Sequence, residues 1–161
     1  MKRTMTKLTF PKSRLLLVSI VAAGVTVLAQ ILWALTSDGL RDASTIVGVL
    51  AFATASGFHA YVAFGRDFVI KFLAVALIAT FVIEVLGVAT SFPFGTYEYD
   101  LQRLGISVFG VPLLIPFAWF MMLYPCWLIS NELFKSKFFV IPTGALLMST
   151  WDLYLDPQMV N

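Results

Sequence analysis

A chain of 161 residues that is 60% hydrophobic, 12% charged and of mean hydropathy +0.90 is too apolar for a soluble domain, where charged residues are about 25%. Its net charge of +2 is small and its basic residues are spread among short connections, which gives no footprint for a nucleic-acid partner. Cys126 is the single cysteine, so an internal disulfide and a thiolate metal cluster are excluded and a small buried hydrophobe is expected.

Five apolar runs follow one another, at about 15–35, 46–64, 69–90, 108–129 and 138–155. Each is near the roughly 20 residues that cross a bilayer as a helix. Helices are required because an open sheet cannot satisfy its backbone in lipid, and the runs are too continuous for barrel strands. The expected fold is therefore all-α, a polytopic membrane helix bundle with about five transmembrane helices. No linker, charge block or repeat divides the chain, so residues 1–161 read as a single integral membrane domain.

The first run follows a basic head of Lys2, Arg3, Lys7, Lys12 and Arg14, as a signal peptide would. It is longer than a usual apolar core of about 7 to 15 residues and has no small-x-small cleavage site, so it reads as a retained span. With the N-terminus inside, the inner segments hold that head together with Arg66, Lys71, Lys135 and Lys137, whereas the outer loops hold only Arg41 and Arg103. This asymmetry predicts an N-in, C-out chain in the cell membrane.

Span two is dense in small residues, and the Ala53 to Gly57 spacing fits close helix packing in lipid. His59, in its inner half, reads either as an interhelical hydrogen-bond partner or as a proton carrier. Glu84 lies six residues before the outer end of span three, about 9 Å down at 1.5 Å per residue. The outer loop after it carries Phe92, Phe94, Tyr97, Glu98, Tyr99 and Asp100, a mixture of rings and acids. Phe92 and Phe94 suit an aromatic belt. Tyr97, Glu98, Tyr99 and Asp100, with Trp151 and Tyr154, exceed what a belt needs and suit a ring-lined pocket whose π-faces stabilise a developing cation.

Span four contains Pro112, Pro116 and Pro125, which would free the carbonyls of Val108, Pro112 and Met121, either for packing kinks or to line a cavity. Span five ends in Asp152 and Asp156, four residues apart and hence on one helix face. Pro157 biases Asp156 away from helical geometry, so the helix is expected to stop there. Low dielectric, a like charge and the negative helix end all disfavour ionisation, and two carboxyl groups sharing one proton follow. Such a pair offers a neutral acid beside a base. The structural alternative is that Asp156 caps the following turn while Asp152 bonds a Tyr or Trp nearby. No Cys/His metal spacing, Gly-rich phosphate loop or nucleophile elbow accompanies these acids, so neither a metal nor a cofactor is expected.

Three stretches together resemble a family of carotenoid biosynthesis membrane proteins that includes the carotenoid 1,2-hydratases and bisanhydrobacterioruberin hydratases. They are Glu84 with Phe94-Gly95-Thr96-Tyr97-Glu98-Tyr99, Gly105 through Gly110-Val111-Pro112 to Pro116, Trp119 and Tyr124, and Trp151-Asp152-Leu153-Tyr154-Leu155-Asp156-Pro157-Gln158-Met159. The likeness covers roughly 82–160. It implies cofactor-free addition of water to the terminal double bond of an acyclic carotenoid drawn from membrane lipid. Asp152, Asp156 and Glu84 would be the catalytic acids, and Tyr97, Glu98, Tyr99, Trp119, Trp151 and Tyr154 would line the substrate site. Relatives of this kind continue past the aspartate motif whereas this chain stops at Asn161, which implies a shortened or split enzyme with a second membrane subunit. A ring cyclase using the same acid, and a non-catalytic membrane subunit or transporter component, are the alternatives. A transport path would need polar groups at every depth, and here the acids gather at one end.

Overall fold

The computed structural model describes residues 10–92, 95–101 and 103–159, with side chains except those of residues 10, 11, 152 and 154–159. The apolar runs form helices α1 (Phe10–Leu35), α2 (Asp38–Phe64), α3 (Arg66–Thr90), α4 (Leu114–Leu133) and α5 (Lys137–Met159). Between α3 and α4 lies a minimal hairpin, β1 (Ser107–Val108) and β2 (Val111–Pro112). Among the described residues four helices are long and apolar enough to cross a membrane, Lys12–Leu35, Asp38–Phe64, Arg66–Thr90 and Leu114–Leu133, and α5 is the fifth helix of the bundle. Large apolar side chains such as Ile20, Leu28, Val75, Ile78, Ile141 and Leu146 stand 60–70% exposed on the outside, as lipid-facing positions do.

Apart from the long segment between α3 and α4, the connections are short, so the helices they join run in opposite directions. Gly65 alone joins α2 to α3, at φ 87°, and its N–H donates to the Tyr61 carbonyl. Only glycine takes that conformation without penalty. At the far end of α3, Ser91 adopts a left-handed conformation and caps the Gly87 carbonyl.

Three boundaries depart from expectation. Helix α2 starts at Asp38 rather than near 46, because the polar stretch Asp38 to Thr45 continues the helix beyond its apolar part, with Asp38 favourably placed at the positive end of the dipole. Residues 108–112 are not the start of span four. Phe109 and Gly110 both have positive φ, 52° and 80°, which makes the two-residue turn that matches strand twist and pairs Val108 with Val111 and Ser107 with Pro112. The positive φ is what favours glycine at 110, where an added Cβ would lie in contact with Val88 at 3.4 Å. Finally, α5 does not stop at Asp156 but continues through Pro157 to Met159.

Helix α4 is the central element and packs against α2, α3 and α5, burying Ile115, Ala118, Phe120, Met121, Met122 and Cys126. Pro116 falls in its first turn, where no backbone N–H is needed, so only Pro125 interrupts the interior. The carbonyl thereby released, that of Met121, accepts a hydrogen bond from Ser56 Oγ of α2 at 3.0 Å. Helix α1 packs on α2, where Gly48 lies against Ala29 and Ser19 donates to the Ala55 carbonyl at 2.8 Å.

Candidate functional site

Glu84 is 4% exposed, one and a half turns below the end of α3. Its Oε2 accepts hydrogen bonds from the hydroxyls of Tyr97 at 2.8 Å and Tyr99 at 2.9 Å, and its Oε1 accepts one from the Trp119 indole N–H at 2.9 Å. A carboxylate is an acceptor with no donor of its own, and each such charge-assisted bond contributes about 1.5–3 kcal/mol. Without these donors the buried charge would be prohibitive.

Two segments bring the donors in, the connection after α3 and helix α4. Residues 97–100 are extended, so side chains alternate, and Tyr97 and Tyr99 turn to the bundle while Glu98 and Asp100 are exposed. The two tyrosine rings meet edge to face, centroids 5.6 Å apart. Gly95, at φ 87°, turns the chain back over the end of α3, and its N–H donates to the Ser91 carbonyl. Further along, Leu104 is buried and Arg103 is clamped to Asp42 of α2, with Nε at 2.9 Å and Nη2 at 2.8 Å from Oδ1. The hydrogen bond to Asp42 is the main reason the guanidinium is held above its ordinary pKa, with partial burial opposing and the charges of Asp42 and Asp100 adding. Trp119 comes from the second turn of α4, whose start is tied down by the hairpin.

Trp119 has a second role. It lines a half-open groove of about 620 Å³ between α4 and α5, walled mostly by apolar groups including Leu123, Trp127, Val140 and Met148, with Ile141 on its lipid-facing rim. The acid network and this open-sided apolar chamber thus share one indole.

Of the expected site residues, Glu84, Tyr97, Tyr99 and Trp119 come together. Glu98 is exposed and takes no part in the Glu84 hydrogen bonds. Trp151 is partly buried against the core. The side chains of Asp152, Tyr154 and Asp156 lie outside the described residues, although their backbone belongs to α5, whose C-terminal turns run toward the Glu84 end of α4. Phe94 is likewise outside them, and Phe92 is 77% exposed, as a belt residue would be.

His59 sits elsewhere, its Nδ1 2.7 Å from the Tyr124 hydroxyl, linking α2 to α4 within a cluster of rings that includes Phe72 and Trp127. The Met121 carbonyl is occupied by Ser56 and does not face a cavity as a free acceptor. Sequence reasoning missed Asp42. The available signal was a pair of opposite charges, Asp42 and Arg103, both in segments expected on one side of the membrane.

Among the described residues no three His, Cys, Asp or Glu side chains gather as metal ligands would. What the arrangement offers is a fixed buried carboxylate, phenol rings around it and an adjoining apolar chamber. No curated protein and no solved structure matches the chain. The family model described as carotenoid biosynthesis protein matches residues 44–161, a stretch that holds the whole Glu84 network and both walls of the chamber, and the chain belongs to that carotenoid biosynthesis family.

Proposed function

We propose that the protein hydrates the terminal double bond of an acyclic carotenoid, giving a tertiary alcohol, at the outer side of the cell membrane. The observation that carries this reading is Glu84, a buried carboxylate held by three donors and connected through Trp119 to an apolar chamber. A neutral carboxyl group at the end of α5, Asp152 or Asp156, donates a proton to the less substituted alkene carbon. The π pair then becomes the new C–H bond and leaves a tertiary cation. Tyrosine rings and the Glu84 carboxylate stabilise that cation, because preorganised charge in a dry site acts where charge develops. Water adds to the cationic carbon and returns a proton to a carboxylate, so the net change is addition of one water with no cofactor.

The test is expression in a host that accumulates an acyclic carotene, with pigments read by mass spectrometry. A product heavier by one water, reduced at least 100-fold in Glu84→Gln and in Asp152→Asn or Asp156→Asn, supports the hydratase. An isomer of unchanged mass points instead to a ring cyclase. No new pigment from a well-expressed chain overturns the reading and leaves a non-catalytic membrane subunit.

A further inference from the structure

We infer that the chamber between α4 and α5 is the seat of a linear polyene chain, with Trp119 as the end wall that delivers one chain terminus to Glu84. This rests on the reading above and adds where the substrate lies and how its terminal bond is selected.

The chamber is elongated. Its lining runs along α4 from Trp119 to Asn131, about 18 Å at 1.5 Å per residue, and returns along α5 from Lys137 to Ser149. Its polar groups sit mainly at the two ends, with Ser149 near Trp119 and Asn131 and Lys137 at the other mouth, while Leu123, Val140, Ile141 and Met148 make the middle apolar. The Asn131 amide is already committed, donating to the Trp127 carbonyl at 2.7 Å. Such a lining has little for a polar or compact ligand to bond in its middle, and it matches a long apolar chain lying parallel to the helices. At about 620 Å³ it has the size of an ordinary ligand pocket.

Small residues on α5 create the space. Gly144 lets α5 approach α4 so closely that an added Cβ would lie 3.3 Å from Ser130 Oγ, and this contact holds the helices in place. One position on, the small methyl of Ala145, on the exposed rim, leaves the groove open to the lipid. A chain entering from the lipid would then slide until its end met Trp119, and the double bond beside Glu84 would be the terminal one. Selection of the terminal bond follows from an end stop, without any polar recognition of the chain.

The experiment is retention of lycopene, an acyclic C40 polyene, by the full chain purified in detergent from a host that makes it, read as pigment of any kind per protein. Wild type should keep close to one pigment per chain. Ala145→Phe should lower that tenfold, and the milder Ala145→Leu, which carries the test where the phenylalanine variant does not fold, about threefold. Leu146→Phe, on the lipid face, should change nothing. Retention unaffected by Ala145→Phe or Ala145→Leu, equal loss in Leu146→Phe, or a wild type free of pigment would each overturn the proposal. Failure here is separable from failure of the hydratase reading. Pigment lost in the Ala145 variants of a chain that makes no hydrate keeps the chamber and removes the reaction, whereas hydrate formation with retention indifferent to residue 145 does the reverse.

Discussion

Three donors share the Glu84 carboxylate unevenly, and the inequality has consequences. Tyr97 and Tyr99 both serve Oε2, whereas the indole of Trp119 is the partner of Oε1. Removing one tyrosine hydroxyl leaves Oε2 with the other, so Tyr97→Phe or Tyr99→Phe alone should cost about 1 kcal/mol, and the two together more than the sum. Trp119→Phe strips Oε1 and should cost about 2–3 kcal/mol. Unfolding in mixed micelles, repeated in a Glu84→Gln background to isolate the coupling to the acid, gives these values. Strict additivity of the two tyrosine changes would show that they do not share one acceptor. The participants in this network were legible in advance, because an acid within an apolar run demands partners and a cluster of tyrosines stood beside it in sequence. Glu98 stands outside the hydrogen bonds of Glu84 for a specific reason. The alternation that turns it outward exists only if residues 97–100 are extended, and a short aromatic-acid loop does not announce its own conformation.

At the scale of elements, hydropathy located the helices but not all of their starts. Of the prolines only Pro125 acts as its position suggests, since Pro112 lies in β2, Pro116 in the first turn of α4 and Pro157 within α5. Pro125 removes a donor from the helix, and its position alone predicted a free Met121 carbonyl. The structure adds that Ser56, in the small-residue stripe of α2, fills that gap at 3.0 Å. A packing kink and a helix–helix hydrogen bond are therefore one device. Ser56→Ala should cost about 0.6–1.7 kcal/mol, the range of interhelical hydrogen bonds in membranes. In a Pro125→Ala background, residue 125 regains an N–H that can bond Met121, and the same Ser56→Ala change should then cost close to nothing. A double-mutant cycle measures this, and an equal cost in both backgrounds would disprove the assignment. The start of span four was lost because Val108 to Ile129 is an unbroken apolar stretch, and a hydropathy window does not register a Phe109-Gly110 turn with positive φ at both residues. The start of α2 was lost for the converse reason, since its first two turns are polar and lie outside any apolar window.

Across the whole molecule, the alternation of helices sorts charge to the two ends. Lys12, Arg14, Arg66, Lys71, Lys135 and Lys137 belong to the end where α1, α3 and α5 begin, while Arg41 and Arg103 belong to the end that holds Glu84. Both of the latter are engaged locally. Arg41 lies over the Trp33 ring at 4.8 Å and donates to the Thr36 carbonyl, and Arg103 is bound to Asp42. The basic end should therefore face the cytoplasm and the acid network the outside, since loops rich in Lys and Arg resist translocation. The bundle and its charge asymmetry were visible in the sequence because both depend on composition along the chain, which lipid makes decisive. The joining of acid and chamber through Trp119 was not visible, because it depends on how α4 is rotated between its neighbours. The chain is well suited to a direct test of its topology, since Cys126, its sole thiol, is only 4% exposed and gives a quiet background. Ser37→Cys, in the exposed connection between α1 and α2, should react with a membrane-impermeant maleimide on intact cells. Ser136→Cys, exposed between α4 and α5, should react only after the membrane is opened. The opposite pattern would put Glu84 at the cytoplasmic face, and the water and protons of the proposed reaction would then come from inside the cell.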